Sequence, residues 1–86
     1  MLQVQDAVKR AKAYLPGLLF DTSSQIADVR LEEVELSEDE KFWNVTFSYL
    51  PVDTTVPLVM RQYKTIRIKA VSGEFVGLRN GMLASV

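Results

Sequence analysis

From Phe42 to Leu50 the chain alternates without a break, Trp43, Val45, Phe47 and Tyr49 against Asn44, Thr46 and Ser48. Successive residues of a strand point to opposite faces, so this spacing specifies a half-buried strand whose apolar face needs a cover. The N-terminus supplies one. Between Leu2 and Leu15, Val4, Val8, Ala11 and Leu15 recur at helical spacing; Ala7 and Tyr14 widen the stripe, while Gln5, Lys9 and Lys12 lie elsewhere on the surface. Pro16-Gly17 is expected to stop this helix, because proline cannot continue the hydrogen-bond ladder and glycine readily takes the conformation that ends helices. Leu18, Leu19 and Phe20 are too apolar for a free loop and are expected under the sheet, before Asp21-Thr22-Ser23-Ser24 turns the chain.

The rest of the chain reads as strands. From Ile26 to Leu36 the apolar positions change phase: Val29 and Leu31 share one parity, Val34 and Leu36 the other. One regular strand cannot bring all four to one face, and a β-bulge near Glu32-Glu33 restores the face by inserting a residue. Ser37 to Lys41 reads as a polar hairpin turn. The stretch 51–58, with two prolines and Asp53-Thr54-Thr55, reads as an irregular connection. A strand is expected over about 60–71, with Ile66, Ile68 and Ala70 facing inward and Thr65, Arg67 and Lys69 outward. Ser72-Gly73 marks a tight turn, and residues 74–79 form a short last strand that Asn80-Gly81 ends. The expected fold is a single α+β domain over residues 1–86, one N-terminal helix packed across an antiparallel meander sheet of three to four strands. Eighty-six residues bury only about 60 to 65% of their unfolded surface, enough for one core.

Composition narrows the chemistry. The chain has neither cysteine nor histidine, so thiol chemistry, disulfides and the commonest general base near neutral pH are all excluded. Residues 1–15 interrupt their apolar positions with Asp6, Lys9, Arg10 and Lys12, unlike the apolar core of a signal peptide, and no stretch reaches the roughly 20 apolar residues that span a bilayer. The expectation is a cytoplasmic protein without membrane or cofactor.

No catalytic or metal-binding constellation stands out. The run Glu32, Glu33, Glu35, Glu38, Asp39 and Glu40 offers oxygen ligands, but its spacing fits no calcium-binding loop, and a solvated acidic strand and hairpin explains it. Ser23, Ser48 and Ser72 have no histidine to activate them. Arg61, Tyr63, Thr65, Arg67 and Lys69 share one parity, a basic face with a single aromatic ring, which points weakly to single-stranded nucleic acid. An acidic pI of about 5.3 argues against it.

Charge is unevenly distributed: residues 1–53 carry ten acidic and five basic side chains, residues 54–86 one acidic and five basic. In a meander this places an acidic strand and a basic strand on opposite sides of a neutral one, an arrangement that steers a charged partner or a second copy. Trp43-Asn44-Val45-Thr46-Phe47, Arg61-Gln62-Tyr63-Lys64 and the segment from Ile66 to Leu78 together resemble the PepSY-like pattern. In that family a helix precedes a tryptophan-bearing strand, an alternating strand, a D-A-x-T-G-E-V turn and a short final strand. The turn here runs from Ala70 through Gly73 and Glu74 to Val76, with Lys69 where the family has aspartate and Ser72 in place of its threonine. The resemblance implies a binding or inhibitory role. The helix-on-sheet plan also looks like that of cystatins, although the Q-x-V-x-G loop is missing and Gln25 to Val29 does not replace it.

The function expected is a non-enzymatic protein-interaction module of inhibitor, immunity or antitoxin type. Its partner is expected to be another protein, bound through an exposed sheet edge or the loop 51–58, or a second copy of the chain paired through sheet edges. The residues assigned to partner binding are Glu33, Glu35, Asp53, Thr54, Thr55, Arg61, Tyr63, Arg67 and Lys69. The alternative is a nucleic-acid or small-ligand binder that uses the basic face from Arg61 to Lys69.

Overall fold

The structure, a computed structural model, describes residues 1–18, 26–51 and 61–80. It contains one helix, α1 (Val4–Leu18), and four strands, β1 (Ile26–Leu36), β2 (Phe42–Pro51), β3 (Gln62–Lys69) and β4 (Phe75–Asn80). The strands form one antiparallel sheet in the order β1-β2-β3-β4, so the expected α+β meander is present with all four strands. The expected turns at 19–25, the connection at 52–60 and the tail beyond Asn80 lie outside the described residues. No described helix is long and apolar enough to cross a membrane.

Three features differ from expectation. The helix runs through Pro16 to Leu18, because the ring's fixed φ already suits a helix and only one backbone donor is lost in the last turn. Its buried stripe is Ala7, Ala11 and Leu15, with Val8 and Tyr14 on the flanks. Val4 in the first turn stays 40% exposed, and Leu2, just ahead of the helix, packs against the core instead. Finally, β1 carries two bulges. One is the expected extra residue at Glu32, between the pairs Leu31 to Phe47 and Glu33 to Thr46; the other falls between Ala27 and Arg30. At that second bulge Asp28 takes a φ of 53°, a left-handed conformation that aspartate tolerates better than most side chains.

The core forms where α1 crosses the sheet. Ala7, Ala11 and Leu15 meet Val45 and Phe47 of β2 and Ile66 and Ile68 of β3, all fully or almost fully buried. Two alanines at the contact let the helix backbone approach the strands closely. Each large side chain buried there contributes about 1.5 to 3 kcal/mol before chain entropy is subtracted, so every anchor of the helix matters in a core this small.

Polar bonds fix the helix at both ends of its path. Ahead of α1, the Leu2 amide donates to the Ala70 carbonyl at 2.7 Å, and the Trp43 indole N–H donates to the Leu2 carbonyl at 3.2 Å. Near its C-terminal end, the Tyr14 hydroxyl donates to the Gly73 carbonyl at 3.1 Å, and the Tyr14 ring packs on Phe75 with centroids 5.5 Å apart. Trp43 therefore does more than fill the core, since its N–H ties the chain entering the helix to the central strand.

The β3–β4 turn closes beneath this helix at Gly73. Its φ is 79°, and a Cβ there would lie 3.1 Å from Leu2 Cδ1 and 3.3 Å from Arg10 Cγ. Both the backbone and the space above it require glycine. Gly73→Ala is expected to lower stability by about 1 to 3 kcal/mol, from the left-handed conformation and the crowding together. Thermal denaturation followed by circular dichroism checks this, with a lowered midpoint expected; an unchanged midpoint contradicts the seating of α1 over this turn.

Candidate functional site

Opposite the helix, the sheet has a second face that no described element covers. Cross-strand register places its side chains in rows. Glu35, Asn44, Arg67 and Gly77 form one row, and Glu33, Thr46, Thr65 and Arg79 the next. Each row runs from a carboxylate on β1, over neutral groups on β2, to a guanidinium on β3 or β4. At the usual strand spacing, Glu35 and Arg67 stand about 10 Å apart and Glu33 and Arg79 about 14 Å apart.

The middle of this face is polar yet largely shielded from water: Ser48 is 0%, Thr46 4%, Thr65 5% and Asn44 7% exposed. Polar groups so placed need partners, and they have them. Thr46 and Thr65 share a hydrogen bond between their hydroxyls at 2.7 Å, and Arg67 Nε donates to Asn44 Oδ1 at 2.9 Å. The Arg67 guanidinium also lies over the Phe42 ring, 4.7 Å from its centroid, which holds the arginine in place from a second direction.

One end of the face is a closed network. Ser48 Oγ donates to the Glu32 carboxylate and accepts from Arg61 Nη1 at 2.7 Å. Arg61 also reaches the Asp28 carbonyl at 3.0 Å and pairs with the Asp28 carboxylate, which Arg30 holds from the other side at 2.8 Å. The bulges that put Asp28 and Glu32 in reach thus serve this network. The hydrogen bond from Arg30, with the charge of Arg30 and Arg61, holds the Asp28 carboxyl below its ordinary range. Ser48 is fully buried and its hydroxyl is engaged on both sides, so it offers no accessible nucleophile.

The sequence-assigned residues separate into three groups. Glu33, Glu35, Tyr63, Arg67 and Lys69 do share the open face. Arg61 is committed to Asp28 and Ser48, and Lys69 pairs with Glu74 at 3.4 Å. Asp53, Thr54 and Thr55 lie outside the described residues. The basic strand is internal to the sheet, because β4 pairs along it; its charges therefore belong to the face, not to an edge. Among the described residues no group of three or more carboxylates converges on a metal-sized site.

Sequence reasoning missed Gly77 and Arg79. Together with Asn44, Thr65, Arg67 and Leu78 they line a shallow cleft of about 220 Å³ on the open face. Among the described residues the side chains of Glu33, Glu35 and Arg79 make no hydrogen bond or ion pair, so both flanks of the face carry unpaired charge. No family model, curated protein or solved structure matches the chain.

Asp28 links this network to pH. A carboxyl whose folded pKa lies below its ordinary value of 3.8 stabilises the fold fully above that value, and the contribution disappears as pH falls through the lowered one. Between pH 5 and about pH 2, the wild-type melting temperature is expected to fall further than that of Asp28→Asn. Parallel melting curves for the two proteins would refute an Asp28 role in the network.

Proposed function

We propose that the chain is a non-enzymatic protein-binding module that docks its partner on the open face of the sheet. The single observation that carries this reading is the pairing state of the face. Among the described residues the carboxylates of Glu33 and Glu35 have no partner on one flank, the guanidinium of Arg79 has none on the other, and a polar strip tied by the Thr46–Thr65 and Arg67–Asn44 hydrogen bonds holds them apart. Fixed, separated, opposite charges select a partner by register and accelerate its approach, since a partner arriving in the wrong orientation meets like charge.

The face is favoured over the edge as the docking surface. β1, an edge strand, carries two bulges and several glutamates, the features that discourage another strand from pairing along it. The face has no such defence. Its buried hydroxyls are already hydrogen-bonded internally, so a partner displaces little bound water there and gains chiefly from the charged groups. Nucleic acid fits this surface less well: a phosphate backbone laid across it meets Glu33 and Glu35, and Tyr63 is the one sequence-assigned ring available for stacking.

Affinity capture of the tagged chain from its own cell lysate tests the reading when run with variants. Glu33→Lys/Glu35→Lys and Arg79→Glu alter residues without internal partners, so the fold should survive. Lys9→Glu/Lys12→Glu on exposed α1 positions serves as control. A stoichiometric protein retained by wild type and the helix control, and held at least about tenfold more weakly by each face variant, equivalent to about 1.4 kcal/mol, is the expected result. Equal retention by all four proteins, or no protein retained by wild type, contradicts it.

A further inference from the structure

Gly77 is unexplained by the fold. It sits inside β4, where a glycine weakens a strand because it has no side chain to pack and more backbone freedom to lose. The neighbouring bulge at Val76 does not demand it, since Gly77 is not in the left-handed region where Gly73 lies. Nor does space demand it: a Cβ built on Gly77 meets nothing within 4 Å. A β-branched residue would fit the backbone and the surroundings. What it would fill is the cleft between Arg67 and Arg79.

Register makes the cleft. Gly77 lies directly opposite Arg67, and Arg79 is two residues further along the same face. The missing side chain leaves a floor of strand backbone in a cleft that Arg67 and Arg79 both line, with the Arg67 guanidinium leaning toward β2. Arg67 is pre-positioned, its Nε bonded to Asn44 and its plane over Phe42, which leaves its terminal N–H groups without a described partner. Arg79 is exposed and has no partner among the described residues. Planar forks of this kind match the two oxygens of a carboxylate, and an arginine already held in place loses little freedom on binding one. The volume, about 220 Å³, suits the end of one acidic side chain and not an extended polymer.

We infer that the cleft over Gly77 is a carboxylate-recognition subsite, in which Arg67 and Arg79 clamp an aspartate or glutamate side chain of the partner protein. The inference rests on the docking reading above and names the chemistry of its partner: an acidic residue presented from a surface whose basic neighbours face Glu33 and Glu35. Charge complementarity favours this occupant over nucleic acid for the reason already given, that the acidic flank repels a polyanion.

Arginine side-chain N–H resonances of the isotope-labelled full chain, titrated with an end-blocked triglutamate peptide and separately with a single-stranded oligothymidylate, provide the test. The expected result is a saturable shift of the Arg67 and Arg79 Nε–H signals with the peptide. Gly77→Val should melt at or above the wild-type temperature, because a β-branched residue suits the strand, yet bind the peptide at least about tenfold more weakly. Arg79→Ala should show the same loss. Stronger binding of the oligothymidylate than of the peptide would overturn the inference, as would peptide shifts that Gly77→Val leaves intact. The two readings fail separately: if Arg79→Glu abolishes partner capture while Gly77→Val changes neither capture nor peptide binding, the subsite is wrong and the docking face stands.

Discussion

The seating of α1 on β2 and β3 determines what the rest of the molecule can be. Ala7 and Ala11 bring the helix close to Phe47, Ile66 and Ile68, and the bonds from Trp43 and Tyr14 to backbone carbonyls fix its position along the sheet. One helix covers one face. The apolar core is drawn to that side, and the opposite side of β2 and β3 is left mostly to hydroxyls, an amide and long charged side chains, with the rings of Phe42 and Tyr63 among them. An antiparallel sheet tolerates this arrangement because its strands alternate cleanly between the two environments.

The open face is ordered by a different principle. Its central residues are shielded without an apolar cover, by neighbours that are themselves polar: Arg67 over Asn44, and Glu32 and Arg61 on either side of Ser48. Internal ion pairs use up the charges at one end, and Asn44 and Phe42 hold Arg67 in the middle. Those left over, Glu33, Glu35 and Arg79, stand at the flanks, where they contribute little to stability because exposed charges interact weakly with one another in water. Charges that do little for the fold are available for recognition, and this division underlies both the proposed docking face and the carboxylate subsite within it.

Much of the fold was legible in the sequence. The alternation of Phe42 to Leu50 identified the central strand and its core face, and the phase change between Leu31 and Val34 located the bulge at Glu32. The same signal occurs twice more. Ile26 and Val29, and again Phe75 and Leu78, are apolar residues three apart, and each pair brackets a register shift. Reading that spacing consistently would have found all three bulges. The helix end was misjudged because proline is a weaker stop in a last turn than in an interior, while the helical stripe was read rightly at Ala7, Ala11 and Leu15 and wrongly only at Val4, whose place against the core Leu2 takes. The site was less legible. Parity placed Arg61, Tyr63, Arg67 and Lys69 on one surface, but only the structure shows that Glu33 and Glu35 share it, that Arg61 is consumed by Asp28 and Ser48, and that a glycine without conformational need opens a gap beside two arginines.

The central claim is that one open face carries separated charge of both signs, and paramagnetic relaxation by small cationic and anionic nitroxides measures that potential residue by residue. Stronger relaxation by the anionic probe is expected around Arg67, Gly77 and Arg79, stronger relaxation by the cationic probe around Glu33 and Glu35, and protection from both at Ala7, Ala11 and Ile66. An equal ratio of the two effects on both flanks, or protection of Arg67 and Arg79 from both probes, would contradict it.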